Sequence, residues 1–532
     1  MVRIVLLLDS LDVSAWVWEA VFQVKQVSNV QIVLVVINES PKASGKKSPF
    51  LYRLYRWMDR NLFLKQPDAF SKKNLTSIPN WAVPELRVKP IQKKYSDYLD
   101  SETLQQIQSH QPDLILRFGF RILKGEILNL TRLGVWSYHH GDPAVYRGGP
   151  PAFWEVIKKI PITGVALLQL TEKLDQGPIL YQSWTQTDPL SVQRNANRIF
   201  WLSSSFPARI LQLINQNEDF DKVKKFQNYG QPVPLWKNPS NWETLIHVAK
   251  LFGRNLYRKI KEQTQLPHWE IATLNLMGVN SLNELDLTKC KILHPEKVNN
   301  YWADPFPFSF QGQDYLFVEE FDQTLRKGSI ACILPDGNSK IVVNESWHLS
   351  YPFILEEEGE IHLIPESAEA GKIYRYKAIE FPLKWERLDV FFPKPGYDPT
   401  LWKDESGYWL FINEKAHESS SPFDELFLYH SLSLENPVWN PHPKNPIVSD
   451  TRNSRPAGRL FFENGKLFRP AQNSEIRYGY GIQINEVKVL SVTDYQEVAI
   501  SSIQPSSNDP FLGIHTFNQN KDLVFLDFYS RR

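Results

Sequence analysis

Apolar residues form nearly continuous runs at 2–8 and 30–37, separated by a segment, 12–25, whose apolar positions recur at helical spacing. Short uninterrupted apolar runs are the signature of strands buried on both faces, so this opening predicts a β-α-β unit of a parallel sheet. A helix over 101–109, a buried strand over Asp113–Phe120 and a helix over 123–130 continue the alternation, which predicts a doubly wound α/β domain. From about residue 268 the pattern breaks into short strand-like runs punctuated by turn residues, which predicts an all-β second domain. The expected divisions are an α/β domain at 1–225, a linker at 226–267 and the all-β domain at 268–532.

The second half repeats itself. Asp304-Pro-Phe-Pro-Phe, Tyr351-Pro-Phe-Ile-Leu and Asp398-Pro-Thr-Leu-Trp begin at intervals of 47 residues, and related phrases start at Arg455 and near Gly513. Each copy holds a strand, a turn and a second strand, with room for two more strands before the next. Five such copies predict a five-bladed β-propeller of four-stranded blades.

Charge modifies the picture locally. Lys and Arg number 60 against 59 Asp and Glu, so no global field exists to draw in nucleic acid. Basic residues do concentrate at 42–73, around an aromatic helix beginning at Phe50, and in a helix at 241–264 where Lys250, Arg254 and Arg258 are spaced by four. That second helix reads as a connector able to touch anionic lipid or glycan, so a peripheral membrane contact is open while no transmembrane segment is expected. Only Cys290 and Cys332 occur, which suggests no disulfide framework and no metal site and fits a cytoplasmic protein. No G-x-G-x-x-G follows the first strand, so a dinucleotide cofactor is not expected.

The chemistry concentrates at Ser137-Tyr-His139, Tyr146-Arg147-Gly148, Thr163-Gly-Val and Leu174-Asp175-Gln-Gly177. In order and spacing these resemble the formyltransferase family, whose members include methionyl-tRNA, glycinamide-ribonucleotide and sugar-amine formyltransferases. The resemblance spans about 1–215 and implies a Rossmann-like domain using 10-formyltetrahydrofolate as formyl donor. It further implies His139 and Asp175 as catalytic residues, Tyr146, Arg147 and Gly148 on the substrate side, and a folate cleft walled by Phe118, Gly119, Phe120, Leu174 and Gly177. The residue types suit the reaction: an amine attacking a formyl carbon must lose a proton, and the formyl oxygen needs a donor as it gains charge. Ser137 departs from the family, which carries Asn there. Losing such a donor typically costs about 2.7–4 kcal/mol, unless a water or a neighbour such as His140 takes over.

The repeats resemble five-bladed glycoside-hydrolase propellers, and more closely the propeller-like domain of glucosamine inositolphosphorylceramide transferases. Asp304, Glu366 and Asp398 are the acidic candidates, and His348, Arg455 and Gln472 join them, with Trp302, Trp347 and Tyr478, as lining of an axial sugar pocket. Arg455 stands where such hydrolases present an acid, which favours binding over hydrolysis. The expected protein is a folate-dependent N-formyltransferase acting on a small-molecule amine such as an amino sugar, with a glycan held at the propeller. The alternatives are a catalytically altered formyltransferase fold that only binds glycan, and a propeller glycoside hydrolase.

Overall fold

Strands β1 (Val2–Leu8) and β2 (Val30–Asn38) lie parallel and are joined by α1 (Ala15–Gln26). The computed structural model describes residues 1–40, 48–216, 219–226, 234–264, 267–275, 285–295, 297, 299–506, 509 and 511–531. Parts of the basic segment at 42–73 and of the linker at 226–267 therefore lie outside the described residues. Contacts divide the chain into two units, Met1–Leu256 with Ala416–Ser421, and Tyr257–Lys415 with Pro422–Arg532.

In the first unit, α2 (Phe50–Phe63), β3 (Glu85–Val88), α3 (Ser101–Ser109), β4 (Leu114–Arg117) and β5 (Val135–His139) follow. Then come α4 (Phe153–Lys158), β6 (Ile162–Gln169), β7 (Ile179–Gln186), α5 (Val192–Ser203) and α6 (Phe206–Asn215). The sheet order is β7-β6-β5-β4-β1-β2-β3, parallel from β5 to β3 and antiparallel at β6 and β7. Alternation along β1 feeds two cores: Ile4, Leu6 and Leu8 pack with α1, α5 and α6, while Val5 and Leu7 pack with Leu104 and Ile107 of α3. From β1 the chain crosses to β2 on one side while β4 lies on the other, so the ends of β1 and β4 flank a topological switch point.

Two local expectations are corrected. α1 starts at Ala15 because Asp12–Ser14 pairs with Lys72–Asn74, a partner no local pattern reveals. The segment 123–130 is not a helix: Leu123 belongs to a two-residue strand beside Ser96–Tyr98, and Gly125, at φ +84, admits only a single 3-10 turn over Glu126–Asn129.

Among the described residues, the second unit contains five four-stranded antiparallel sheets. The first four run in chain order from Asn300 to Val343, Ser350 to Phe392, Tyr397 to Pro441 and Phe461 to Ile503. The fifth combines the beginning and end of the unit, pairing Pro267–Asn275 with Leu523–Arg531 and adding Lys291–Leu293 and Gly513–Asn520 at its edges. The 47-residue period has a backbone cause: Asp304, Tyr351 and Asp398 all adopt left-handed φ, between 46° and 51°. Each sits in a bulge of the first strand of its sheet, which bends the strand and turns its side chains.

Candidate functional site

β5 is hydrogen-bonded on both sides, to β4 and β6, so its alternation is fixed. Ser137 and His139 share one face; Tyr138 and His140 take the other. His140 is half-buried and stacked on Phe200 with ring centroids 3.6 Å apart. Burial, with the charge of His139, pushes its pKa down to about 3. His140 is therefore neutral and on the face opposite Ser137, so the expectation that it could stand in for the missing Asn is not met.

His139 is held at both nitrogens. Its Nε2 lies 2.7 Å from the Tyr146 carbonyl, which can only accept, so Nε2 carries a proton. Its Nδ1 faces Asp175 Oδ1 at 3.6 Å. Burial alone depresses the imidazolium, but the Asp175 carboxylate, the Tyr146 carbonyl and Glu155 outweigh it and raise the pKa above the ordinary histidine value. Asp175 responds in reverse: burial raises it, yet His139, the Gly148 amide and Arg147 hold it below the usual carboxylate range. Each member of the pair thus favours the charged form of the other.

Two loops clasp around this pair. Arg147 donates to the Leu174 carbonyl at 2.8 Å, and the Gly148 amide donates to Asp175 Oδ2 at 3.3 Å. Tyr146, Arg147 and Gly148, read from the sequence as substrate contacts, are thus also positioning residues for His139 and Asp175. The motif glycines have steric reasons: a Cβ on Gly177 would fall 1.8 Å from the Gln169 carbonyl oxygen, and one on Gly164 would fall 2.9 Å from the Cβ of Asp142. Gly119 packs equally tightly, 2.4 Å from the Asp9 amide nitrogen by the same measure. Phe118 packs against Trp16 and Tyr138, and Phe120 is buried in the opposite core, so this segment has mainly backbone to offer a ligand.

Two residues escaped the sequence reading. Arg117, paired with Ser137 in the β4–β5 register, donates through Nη1 to Ser137 Oγ at 2.8 Å and through Nη2 to the carbonyls of Phe120 and Arg121. Burial lowers its pKa, countered by Asp9, Asp97 and Asp175. The signal was present, because a cation ending an apolar strand is rarely buried without purpose. Glu155 of α4 is also buried, and burial pushes its pKa up to about 7 despite the charge of His139.

In the second unit the expected acidic residues do converge, each already engaged. Asp304 accepts from the Tyr351 amide and the Thr516 hydroxyl. Asp398 accepts from Arg455 Nε at 2.5 Å and Nη2 at 3.1 Å, and from Gln472. Glu366 accepts from the Asp398 amide and from Arg455. Burial, with the neighbouring Asp398, raises Glu366 well above the usual range, and burial raises Asp304 to about 6. Arg455 itself lies against the rings of Tyr397, Phe423 and Tyr478.

His348 accepts from the Gly328 amide and faces Glu319, a carboxyl the sequence reading missed and which burial, with Asp304 and Glu366, drives upward. His515 joins the cluster between Asp527 and Asp304; these three buried residues present ligand-type atoms within 4.8 Å of one another, though both carboxylates also take backbone donors. Trp302 and Trp347 do not belong here. Trp302 is buried within its sheet on Glu320, and Trp347 stacks on Tyr374.

The comparisons agree with this division. Residues 62–198 match the family model for Formyl transferase. Residues 285–519 match that for Glucosamine inositolphosphorylceramide transferase 1, N-terminal. Glucosamine inositolphosphorylceramide transferase 1 of Arabidopsis thaliana is 33% identical over 210 residues, which are 38% of this chain and 27% of that protein. Methionyl-tRNA formyltransferase of Prochlorococcus marinus (strain NATL2A) is 29% identical over 168 residues, 30% of this chain and 49% of that protein. The chain thus spans about a quarter and about half of these relatives. Among solved structures, phosphoribosylglycinamide formyltransferase from Anaplasma phagocytophilum aligns with a TM-score of 0.30 and 18% identity, over 44% of this chain and 99% of that one. The first unit carries a formyltransferase-family domain. The chain is a fusion of that domain with one like the N-terminal region of glucosamine inositolphosphorylceramide transferase 1. Among the described residues no helix is long and apolar enough to cross a membrane.

Proposed function

We propose that the first unit transfers a formyl group from 10-formyltetrahydrofolate to the amine of a small acceptor, an amino sugar or glycan precursor. The observation that carries this reading is the couple of buried His139 with half-buried Asp175, held by two clasped loops. The donor supplies an activated formyl carbon; the backbone at 118–120 and the loop at 174–177 would hold it beside the switch point. The Nε2–H of His139, resting on the Tyr146 carbonyl, turns to the formyl oxygen, where negative charge develops. Asp175 keeps the imidazole charged and receives the proton the attacking amine releases. Arg117, acting through Ser137, supplies the second donor in place of the family's Asn. The new bond would join the amine nitrogen to the formyl carbon as the bond from that carbon to the donor nitrogen breaks, with Asp175 passing the proton it took from the amine to the leaving nitrogen.

The five sheets of the second unit are read as blades of a propeller. Supporting this, the first strand of the sheet starting at Asn300 touches the opening strand of the next sheet and strand Gly513–Asn520 of the last. Its axial cluster is read as a glycan-binding site rather than a hydrolase centre, because Arg455 and Gln472 occupy the oxygens of Asp398 that hydrolysis would need free. The test is a formyl-transfer assay across a panel of amino sugars: transfer abolished in His139→Ala supports the reading, and no transfer to any amine by the wild type sinks it.

A further inference from the structure

Of helix α7 (Asn241–Thr264), the part up to Leu256 belongs to the first unit and packs there with α2. The Leu51 amide donates to Asn241, and Leu251 of α7 packs with Tyr52 and Tyr55 of α2. Burying Thr244 and Leu251, with Val248 half-buried between them, settles the inward face of α7. A second apolar stripe, Trp242, Leu245, Ala249, Phe252 and Leu256, follows helical spacing but lies roughly 100° away around the axis and faces solvent. Trp242 is 69% exposed, Phe252 45% and Leu256 62%. α2 adds Phe50, Leu54 and Trp57, spaced i, i+4, i+7, with Trp57 64% exposed. A water-facing helix has no use for two such stripes.

Charge selects the partner. Within the first unit α7 carries exposed Lys250 and, beside it, Arg254, whose guanidinium donates to the Val156 and Ile157 carbonyls, against Glu243 alone. On α2, Arg56 is beside Asp59 and Arg60 is paired with Asp68, leaving exposed Arg53 as its contribution. A second copy meeting this face would set cations against cations. A bilayer with anionic headgroups meets both requirements: its interface receives tryptophans and aliphatic side chains, and its surface attracts lysine and arginine.

We propose that the face formed by α2 and the exposed stripe of α7 docks the protein on an anionic membrane surface, its apolar residues entering the headgroup region without spanning the bilayer. This is independent of the formyl-transfer reading, since none of its residues touches the His139 site.

The test is co-sedimentation of the full chain with vesicles of phosphatidylcholine alone and of phosphatidylcholine mixed with phosphatidylglycerol. The wild type should pellet with the anionic vesicles, less so at high salt, and stay in solution with the neutral ones. Each of Arg53→Gln and Lys250→Gln should weaken binding about fivefold. The pair Trp57→Ser and Phe252→Ser should weaken it more than about tenfold, with an unchanged thermal midpoint showing that the fold is intact. The proposal is overturned if the wild type does not pellet with anionic vesicles or the variants bind as it does. It is equally overturned if the wild type is a dimer that the apolar pair of substitutions converts to monomer.

Discussion

Arg117 and Ser137 are direct register partners on adjacent strands, and the guanidinium donates to the hydroxyl at 2.8 Å. Where the family is expected to place one long amide donor, this chain has a short hydroxyl backed by a half-buried cation. We read the two side chains as one donor unit. Arg117→Ala or Ser137→Ala alone should lower kcat by about a hundred- to a thousandfold, the usual effect of losing an oxyanion donor. Arg117→Ala combined with Ser137→Asn should recover part of that loss. A double-mutant cycle on kcat with a coupling energy near zero would show that the two residues act separately.

His139 and Asp175 predict opposite pH dependences of stability. A raised histidine pKa contributes stability that is present below the unfolded pKa and lost as pH rises through the folded one. A depressed Asp175 contributes stability that is present above its unfolded pKa and lost as pH falls through the folded one. Asp175→Asn should therefore lower the His139 pKa and flatten both limbs, read by histidine NMR titration and by urea midpoints across pH. An unchanged His139 titration in that variant would refute the coupling.

Glu155 has a folded pKa of about 7 against about 4.5 unfolded, so its effect falls between those values, with stability declining as pH rises through the window. Glu155→Gln should be more stable than wild type above pH 7, by up to about 3 kcal/mol, and should leave His139 easier to deprotonate. Chemical denaturation at pH 5 and pH 8 checks this, the difference appearing only at the higher pH.

Much of the first unit was legible because buried parallel strands announce themselves as apolar runs, as at Val2–Leu8 and Val30–Asn38. The helix expected at 123–130 failed because Gly125 needs positive φ and Leu123 pairs with a strand distant in sequence. His139 and Asp175 were named through the resemblance of their motifs to the formyltransferase family, not through periodicity. Arg117 was hidden because its role depends on the register between β4 and β5, and sequence does not print register. The repeat at 304, 351 and 398 was visible because a bulge recurs at each, yet Trp302, in the same phrase, points into its own sheet rather than toward the acidic cluster.

In the second unit, Arg455 pairs with buried Asp398 and also donates to Glu366. Arg455→Ala should destabilise this unit by about 3–5 kcal/mol, since it leaves the Asp398 charge unpaired. Arg455→Met with Asp398→Leu should cost less. Urea unfolding of the three proteins distinguishes this from a purely ligand-binding role, in which stability would be unaffected.

The most direct test of the central claim is calorimetric titration of a stable 10-formyltetrahydrofolate analogue into the wild type and His139→Ala, followed by single-turnover formyl transfer to the best amine acceptor. The account predicts that the wild type binds the analogue and that transfer disappears in His139→Ala while analogue binding largely persists. Absence of analogue binding by the wild type, or equal transfer by both proteins, would contradict it.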